Sequence, residues 1–157
     1  MAYVGKYFPM SSKTPSPLDQ FLCLDLYTAS RVVIQAYGPL LEKLNLTYPQ
    51  YLVMSALWAE DELKVKDISE HLHLDSGTLS PLLKRLEAAG LVSRTRGKED
   101  EREVRIALTA AGRALQQKSG AVSEGIGCIL GMSPAEAQKL QNKLRGLVGR
   151  IESAKPV

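Results

Sequence analysis

Between residues 63 and 109 the spacing of the apolar residues changes from a helical period to an alternating one. The stretch VKDISEHLHL and then the stretch SGTLSPLLKRLEAAG each place most of their apolar residues on one helix face, and Gly90 is suited to end the second helix. The runs LVSRTR and VRIAL that follow alternate instead, with Val104, Ile106 and Leu108 on one face, which predicts a two-stranded hairpin. Two short helices followed at once by a hairpin predict a winged helix-turn-helix.

The second of these helices is expected to present a polar face to a ligand. The candidate nucleic-acid-binding residues at and after its start are Asp75, Ser76, Thr78, Ser80, Lys84 and Arg85. Small hydroxyls near a helix N-terminus can hydrogen-bond phosphates or base edges, and Lys84 and Arg85 can add phosphate contacts. The alternative is a solvated helix face, but the hairpin that follows favours a helix that enters the major groove of DNA.

The tip of the predicted hairpin, RGKEDERE, is densely charged but almost balanced in sign. Its candidate DNA-binding residues are Arg94, Arg96 and Arg102. One interpretation pairs Asp100 with a nearby arginine to stiffen the tip, while Arg102 or Arg96 enters the minor groove, whose negative potential attracts guanidinium groups. The other interpretation is an ordinary solvated turn.

Capping signals predict two helices before this region. The run SPLD at residues 16–19 predicts the start of a first helix that ends near Gly38 and continues as a short helical segment over residues 39–45. By the same logic the run TYPQ at residues 47–50 predicts a second helix over roughly residues 48–59.

The last third of the chain is expected to be helical with one interruption. Thr109 restarts a helix, but the segment GAVSEGIGCILGMS carries glycines that each weaken a helix by up to about 1 kcal/mol, so we expect a bend or loop there. Ser133 and Glu136 then form a capping box for a final helix. Its apolar residues recur at alternating spacings of three and four, at Ala137, Leu140, Leu144, Leu147 and Ile151. This coiled-coil-like seam predicts a partner helix.

The chain is expected to form one domain that a second copy completes. Residues 1–17 form an arm without the apolar run of a signal peptide, and residues 18–157 form the domain. Within it, residues 18–60 and 110–157 supply dimerisation helices around a DNA-binding part at residues 61–109. No stretch is long enough to span a bilayer, and two widely separated cysteines favour a cytoplasmic protein with reduced thiols. The net charge of +3 permits a nucleic-acid partner but does not require one.

Several strings resemble those of a known family. The run DER at residues 100–102, followed by IALT at 106–109, is similar to the wing signature of the MarR family of dimeric winged-helix regulators. The runs LTYPQYLVMSALW and LHLDSGTLSPLLKRLEAAGLVSRTR resemble its OhrR branch, repressors that sense organic hydroperoxides, in which LDSGTLTPLLKRLE is nearly fixed and only Ser80 departs, keeping a hydroxyl. The likeness covers nearly all of residues 18–115. It implies a mainly α fold with a small β-hairpin wing, and a homodimer that binds double-stranded operator DNA.

The resemblance also implies a role for Cys23. The branch places its reactive thiol in an L-C-x-x-x-Y segment, which LCLDLY matches, with Asp25 where an apolar or small residue is commoner. In such proteins two tyrosines of the partner subunit hydrogen-bond the thiolate, by spacing Tyr37 and Tyr48, and Tyr27 would line the same pocket. Position alone favours a small buried hydrophobe. Because Cys23 is predicted to lie about seven residues into its helix, too deep for much help from the helix dipole, phenol donors are the expected activators of a thiolate that reacts with peroxide.

Cys128 lies in the glycine-rich segment before the last helix. Some members of the branch carry such a resolving cysteine, which condenses with the oxidised thiol of the other subunit to form an intersubunit disulfide. Flexible glycines around it suit the movement required. The alternative is a buried structural cysteine between Gly127 and Ile129.

The resemblance therefore implies a repressor that leaves its operator when an organic hydroperoxide oxidises Cys23. One alternative is a MarR-type regulator that is released by a small aromatic ligand in the dimer crevice, with the cysteines incidental. Another is a thiol peroxidase, but nothing in the chain resembles a peroxidase motif, so no enzyme is expected. No metal or other cofactor is expected either, because His71 and His73 lack a matching cluster of Cys or carboxylate residues.

Overall fold

The chain is mainly helical with one small antiparallel sheet, and the computed structural model describes residues 17–96 and 103–154. The helices are α1 Leu22–Glu42, α2 Tyr48–Ala59, α3 Val65–Leu72, α4 Ser76–Ala88, α5 Ala110–Leu130 and α6 Pro134–Ser153. The strands are β1 Leu63–Lys64, β2 Val92–Arg96 and β3 Val104–Leu108. The chain divides into two compact units, one that ends at Gln35 and one that begins at Ala36, so α1 contributes to both.

α1 begins and ends later than the sequence predicted. A short 3-10 turn covers Pro17–Gln20, and the helix starts at Leu22 with the backbone N–H of Leu24 donating to the carbonyl of Phe21 at 2.9 Å. The helix then continues through Pro39, so the predicted end near Gly38 was wrong. Burial of Leu41 and its neighbours offsets the backbone hydrogen bond that proline cannot donate. The predicted cap at residue 16 lies outside the described residues.

α2 and the helix-turn-helix form where the sequence predicted them. The backbone N–H of Thr47 donates to Oε1 of Gln50 at 2.8 Å, which caps α2. The inner faces of α2, α3 and α4 meet in the core together with residues of the sheet. The core side chains that are exposed by 2% or less include Leu41, Val53, Met54, Leu57, Ile68, Leu79, Leu83, Leu86, Val92, Ile106 and Val122. The chain leaves α4 at Gly90, whose φ of +70° is the left-handed conformation that glycine adopts without strain.

The predicted hairpin is present and gains a third strand. β2 and β3 pair antiparallel in a register that sets Val92 opposite Leu108 and Arg94 opposite Ile106. β1 pairs with the other edge of β3, giving the order β1-β3-β2. With two residues, β1 is too short to show a period in the sequence.

α5 is continuous through the glycine-rich segment, so the predicted bend or loop was wrong. A Cβ on Gly125 would lie 2.8 Å from Cδ2 of Leu40, which means that this glycine lets α5 approach α1 closely. Val122 and Ile126 on the same helix are buried, and their packing outweighs the low helix propensity of the glycines. The helix ends at Gly131, with φ +61°.

α6 begins at the predicted capping box and carries an open apolar face. The backbone N–H of Ser133 donates to Oε2 of Glu136 at 2.8 Å, and a hydrogen bond from the Ser133 hydroxyl is the main reason that the pKa of Glu136 is lowered. No residue of α6 is buried. The large apolar side chains on its exposed face are Leu140, Leu144, Val148 and Ile151, each at least 40% exposed. Across the described ranges, no helix combines the length and apolar character needed to cross a bilayer.

Candidate functional site

Asp75 fixes the start of α4 and holds its first polar side chain in place. Its carboxylate accepts the backbone N–H of Thr78 at 2.8 Å and the hydroxyl of Thr78 at 2.9 Å. The backbone N–H of Thr78, and then its hydroxyl, hold the pKa of Asp75 below its usual range. A Cβ on Gly77 would lie 3.0 Å from Oδ1 of Asp75, so glycine keeps this cap compact. Asp75 therefore serves first as the N-cap of α4.

The structure places the predicted polar set on the outer face of α4. Leu79, Leu83 and Leu86 point into the core from the opposite face. Ser76, Thr78, Lys84 and Arg85 are exposed and Ser80 is half-buried. α4 thus offers exposed hydroxyls at its N-terminal end and two cations further along, an arrangement suited to phosphate and base-edge contacts.

Two cations at the base of the wing, Lys64 and Arg105, form salt bridges with one carboxylate, a feature that was not predicted from the sequence. The carboxylate of Glu103 pairs with Nζ of Lys64 at 2.6 Å and with Arg105 at 2.9 Å, and Arg105 also donates to the carbonyl of Glu62 at 3.3 Å. The hydrogen bond from Lys64 is the main cause of the lowered pKa of Glu103. Glu103 and Arg105 are two residues apart, the spacing that puts side chains on one strand face, and this was the available signal.

The remaining wing candidates fall partly outside the described residues. Arg94 is half-buried, on the β2 position opposite Ile106. Arg96 closes the strand pair opposite Val104. Asp100 and Arg102 lie outside the described residues, so their predicted roles at the tip stay predictions.

A second feature missed from the sequence joins the end of α2 to the start of α5. Nε1 of Trp58 donates to the carbonyl of Gly112 at 2.9 Å, and Nε2 of Gln116 donates to the carbonyl of Trp58 at 3.3 Å. Asp61 accepts the backbone N–H of Leu108 at 2.8 Å and pairs with Arg113. We call these residues, Trp58, Asp61, Gly112, Arg113 and Gln116, the α2–α5 junction.

The two tyrosines expected to bond the thiolate are brought together. The rings of Tyr37 on α1 and Tyr48 on α2 have centroids 4.8 Å apart and are tilted by 52°. Tyr51, which was not predicted, lies 6.0 Å from Tyr37. Burial, and then the neighbouring tyrosines, raise the pKa values of Tyr37 and Tyr48, so both are hydrogen-bond donors over the physiological range. We call Tyr37, Tyr48 and Tyr51 the tyrosine cluster.

Cys23 is an exposed free thiol in the first turn of α1. The prediction that it lies about seven residues into its helix was therefore wrong, because the chain before it forms a 3-10 turn rather than the first turns of α1. Asp25 is in the same first turn. Tyr27 is four residues beyond Cys23, on the same helix face, and its hydroxyl accepts a hydrogen bond from Arg31 at 3.3 Å.

Cys128 is the other free thiol and is exposed in the last turn of α5. Its expected setting in a flexible loop was wrong, because α5 is helical up to Leu130. The thiol is exposed in the single chain, so the alternative of a cysteine buried within its own chain is wrong. Its neighbours Ile129 and Leu130 are exposed apolar residues, 51% and 38% respectively.

A pocket of about 310 Å³ lies between the end of α1 and the middle of α5. It is lined by Leu40, Lys43, Leu44, Lys118, Ala121 and Val122. Its walls are mostly apolar and its two charged groups are cations. In the part of the chain that the structure describes, no three His, Cys, Asp or Glu side chains come close enough together to hold a metal ion.

Comparison with known proteins gives one matching family and closely similar relatives. Residues 35–118 match the family model described as transcriptional regulator SarA/Rot. The organic hydroperoxide resistance transcriptional regulator of Bacillus subtilis (strain 168) is 45% identical over 136 residues, which cover 87% of this chain and 90% of that protein.

Solved structures of AbfR, a protein of Staphylococcus epidermidis, are also similar. Overoxidized AbfR bound to DNA is 37% identical with a TM-score of 0.70, covering 83% of this chain and 91% of that one. Disulfide-formed AbfR is 38% identical with a TM-score of 0.59, covering 81% and 89%. The fold described above thus follows the DNA-bound structure more closely than the disulfide-formed one.

Proposed function

Because the chain belongs to the MarR family of winged-helix transcriptional regulators, in its organic hydroperoxide-sensing branch, we propose that it is a homodimeric repressor that leaves its operator when Cys23 is oxidised. It is a DNA-binding regulator rather than an enzyme. An organic hydroperoxide is the proposed oxidant, and a disulfide between Cys23 and Cys128 of the partner subunit is the released state. The observation that carries the redox part is the ring contact between Tyr37 and Tyr48.

Operator binding is assigned to α4 and the wing. The outer face of α4 carries exposed hydroxyls near its N-terminus and exposed Lys84 and Arg85 beyond them, while the opposite face is buried. Arg94, Arg96 and Arg102 are the proposed wing contacts. Glu103 binds Lys64 and Arg105 at the base of the wing, so the proposal gives the minor-groove contact to the other wing arginines.

The homodimer is supported by the apolar face of α6. Four large apolar side chains at least 40% exposed on one helix are too many for a solvated surface, and three of them, Leu140, Leu144 and Ile151, belong to the predicted seam that suits a second helix. We assign residues 18–60 and 110–157 to the dimerisation part and residues 61–109 to the DNA-binding part. Light scattering at micromolar concentration should give the mass of two chains, and a stable monomer would contradict this assignment. We place the protein in the cytoplasm, where its DNA target and a reducing thiol pool are found.

The tyrosine cluster is the proposed receptor for the thiolate of the partner subunit's Cys23. Within the described residues, no hydrogen bond occupies the hydroxyls of Tyr37 and Tyr48, and both side chains are half-buried. The two rings that carry these donors have centroids 4.8 Å apart, which supports one sulfur anion as the common acceptor of both hydroxyls. Tyr27 lies on the Cys23 face of α1 and completes the pocket from the side of the cysteine.

The proposed chemistry needs only the hydroperoxide and the two thiols. The Cys23 thiolate attacks the terminal peroxide oxygen, the O–O bond breaks, and the alkoxide takes a proton and leaves as the alcohol. Sulfur loses two electrons and becomes a sulfenic acid. The thiolate of Cys128 of the partner subunit then attacks the sulfenic sulfur, hydroxide takes a proton and leaves as water, and the disulfide forms.

Both cysteines are accessible in the single chain. Cys23 is exposed in the first turn of α1 and Cys128 is exposed in the last turn of α5, so a hydroperoxide or a second thiol can reach either sulfur.

A gel-shift titration with cumene hydroperoxide, with and without dithiothreitol, tests the function. The parent protein should lose its operator, regain it with dithiothreitol, and give a covalent dimer on a non-reducing gel. A Cys23→Ser protein should stay on DNA throughout. A Cys128→Ser protein should give no covalent dimer and should stop at a sulfenic acid that dimedone traps.

Two outcomes would contradict parts of this proposal. If the parent releases DNA without a covalent dimer, Cys128 is structural and the switch needs only Cys23. If Cys23→Ser still releases DNA with peroxide, the redox function fails.

The pocket between α1 and α5 favours a second candidate. Apolar walls with Lys43 and Lys118 fit a small aromatic anion, and a regulator released by such a ligand would need neither cysteine. Release of DNA by salicylate from the Cys23→Ser protein would support this candidate, and its absence would exclude that ligand.

A further inference from the structure

Trp58 links the tyrosine cluster to the wing. We propose that it is a positioning residue for the redox switch: its indole N–H transmits displacement of the tyrosine cluster to α5 and the wing, so that oxidation lowers operator affinity. This inference rests on the proposed function, because it requires oxidation of Cys23 to displace the cluster.

The first part of the path is a continuous row of aromatic rings. Tyr51 lies between Tyr37 and Trp58, with ring centroids 6.0 Å from each, and its ring meets Trp58 edge-on at 69°. Tyr48, Tyr51 and Trp58 all belong to α2, so a movement at the start of this helix reaches Trp58 through both the rings and the helix backbone. Edge-on and tilted contacts of this kind have preferred geometries and resist sliding.

The second part of the path is the α2–α5 junction. The indole N–H of Trp58 donates to the carbonyl of Gly112 at 2.9 Å, and the side chain of Gln116 donates back to the carbonyl of Trp58 at 3.3 Å. The Trp58–Gly112 bond is partly buried, so water does not readily replace it. Of the bonds in the junction, this one is made by the last ring of the aromatic row.

The third part of the path is the joint between α5 and the wing. A Cβ on Gly112 would lie 2.1 Å from the carbonyl oxygen of Leu91, so the first turn of α5 is in direct backbone contact with the residue before β2. The hydroxyl of Thr109 donates to the carbonyl of Gly90 at 2.6 Å, and its backbone N–H donates to that of Leu91 at 3.1 Å. Because the backbones are in direct contact here, a shift of Gly112 moves the base of the wing.

α2 also packs directly against α4, which is why Trp58 should affect the redox coupling more than it affects DNA binding. Val53, Met54 and Leu57 on α2 share the core with the buried leucines of α4. That packing holds α4 in place whether or not the indole bond is present. Loss of the bond should therefore leave the reduced protein able to bind DNA while weakening the response of the wing to oxidation.

The test is Trp58→Phe, which keeps an aromatic ring and removes the N–H donor. Operator dissociation constants are measured for the reduced and the disulfide form at one salt concentration, and their ratio is the redox coupling. Parent ratios of roughly 5- to 150-fold are typical of coupled sites. The ratio for Trp58→Phe should fall by about fivefold, the factor expected for one net hydrogen bond. Operator affinity of the reduced protein and the rate of Cys23 oxidation should stay within about twofold of the parent.

Ser119→Ala is the matched control on α5, because the Ser119 hydroxyl donates only within its own helix, to the carbonyl of Gln116 at 2.7 Å. Its coupling ratio should equal that of the parent. Gln116→Ala removes the return bond to Trp58 and should lower the ratio less than Trp58→Phe does. If Trp58→Phe does not fold, the Gln116→Ala ratio decides, and a parent-like value overturns the inference.

An unchanged ratio in a folded Trp58→Phe protein overturns the inference, including the case in which both dissociation constants change equally. A parent that keeps its operator after oxidation overturns the redox function and this inference with it. If the parent releases DNA after oxidation and the Trp58→Phe protein releases it equally, the inference about Trp58 is overturned but the redox function is not.

Discussion

Replacing Gly112 by alanine should destabilise the protein although alanine is the better helix former. The new Cβ would lie 2.1 Å from the carbonyl oxygen of Leu91 and 3.2 Å from Cδ2 of Leu108. Carbon contacts are comfortable at about 3.5 Å or more, so the first turn of α5 would have to move by more than about 1 Å. The obstacle is backbone rather than a flexible side chain, so no rotamer change can relieve it.

The size of the effect follows from what that movement disturbs. It would weaken the hydrogen bond from Trp58 to the carbonyl of Gly112 and the bond from the Thr109 N–H to the carbonyl of Leu91, each worth about 1 kcal/mol. Overpacking destabilises the protein by about 1–3 kcal/mol more, and the higher helix propensity of alanine offsets about 1 kcal/mol of this loss. We expect the free energy of unfolding to fall by about 2–4 kcal/mol.

Urea unfolding followed by circular dichroism, at one protein concentration because a dimer is expected, measures this change. Gly120→Ala is the control in the same helix. A Cβ there meets nothing within 4 Å, so this variant should be more stable than the parent by about 0.5–1 kcal/mol. A Gly112→Ala protein as stable as Gly120→Ala would refute the close approach of α5 to Leu91.

Three further predictions follow from the candidate site. Replacing both Tyr37 and Tyr48 by phenylalanine should slow the oxidation of Cys23 by hydroperoxide and leave operator affinity unchanged, as stopped-flow oxidation and gel shifts would show; equal oxidation rates would exclude the tyrosine cluster as the thiolate receptor. The pKa of Asp75 is lowered in the folded state, so its carboxylate contributes stability above the unfolded pKa near 3.8, and this contribution is lost as pH falls through the folded pKa. When the free energy of unfolding is measured from pH 7 to pH 3, the difference between the parent and Asp75→Asn should therefore shrink at the acid end. A constant difference would contradict the role of Asp75 as a cap. Arg102→Ala should weaken operator binding at fixed salt and leave thiol oxidation intact, whereas unchanged affinity would mean that the wing tip is only solvated.

The winged helix-turn-helix was predictable because each of its elements carries its own local signal. The helices show a 3.6-residue period, Asp75 and Gly90 mark the limits of α4, and alternation marks the hairpin. The α2–α5 junction carries no such signal. Its bonds join Trp58 to Gly112 and Asp61 to Leu108 and Arg113, residues about fifty positions apart whose pairing depends on the packed core.

The glycines of α5 show why a propensity argument failed. Each glycine does cost helix stability, and four in one segment favour a break. Helix propensity takes no account of what lies beside the helix: Gly125 faces Leu40 and Gly112 faces Leu91, and both close approaches require the absence of a Cβ. Only Gly131, with its positive φ, behaves as the sequence reasoning assumed.

The start of α1 changes the reasoning about Cys23 without removing the need for the tyrosine cluster. The thiol is exposed in the first turn of α1, where Asp25 also lies. None of the hydrogen bonds among the described residues involves its sulfur, so in this proposal the donors that bind the thiolate come from the partner subunit. Neutral donors from another chain add stabilisation without adding charge, so peroxide sensitivity should depend on assembly of the dimer, and diluting the protein into monomers should slow the oxidation of Cys23.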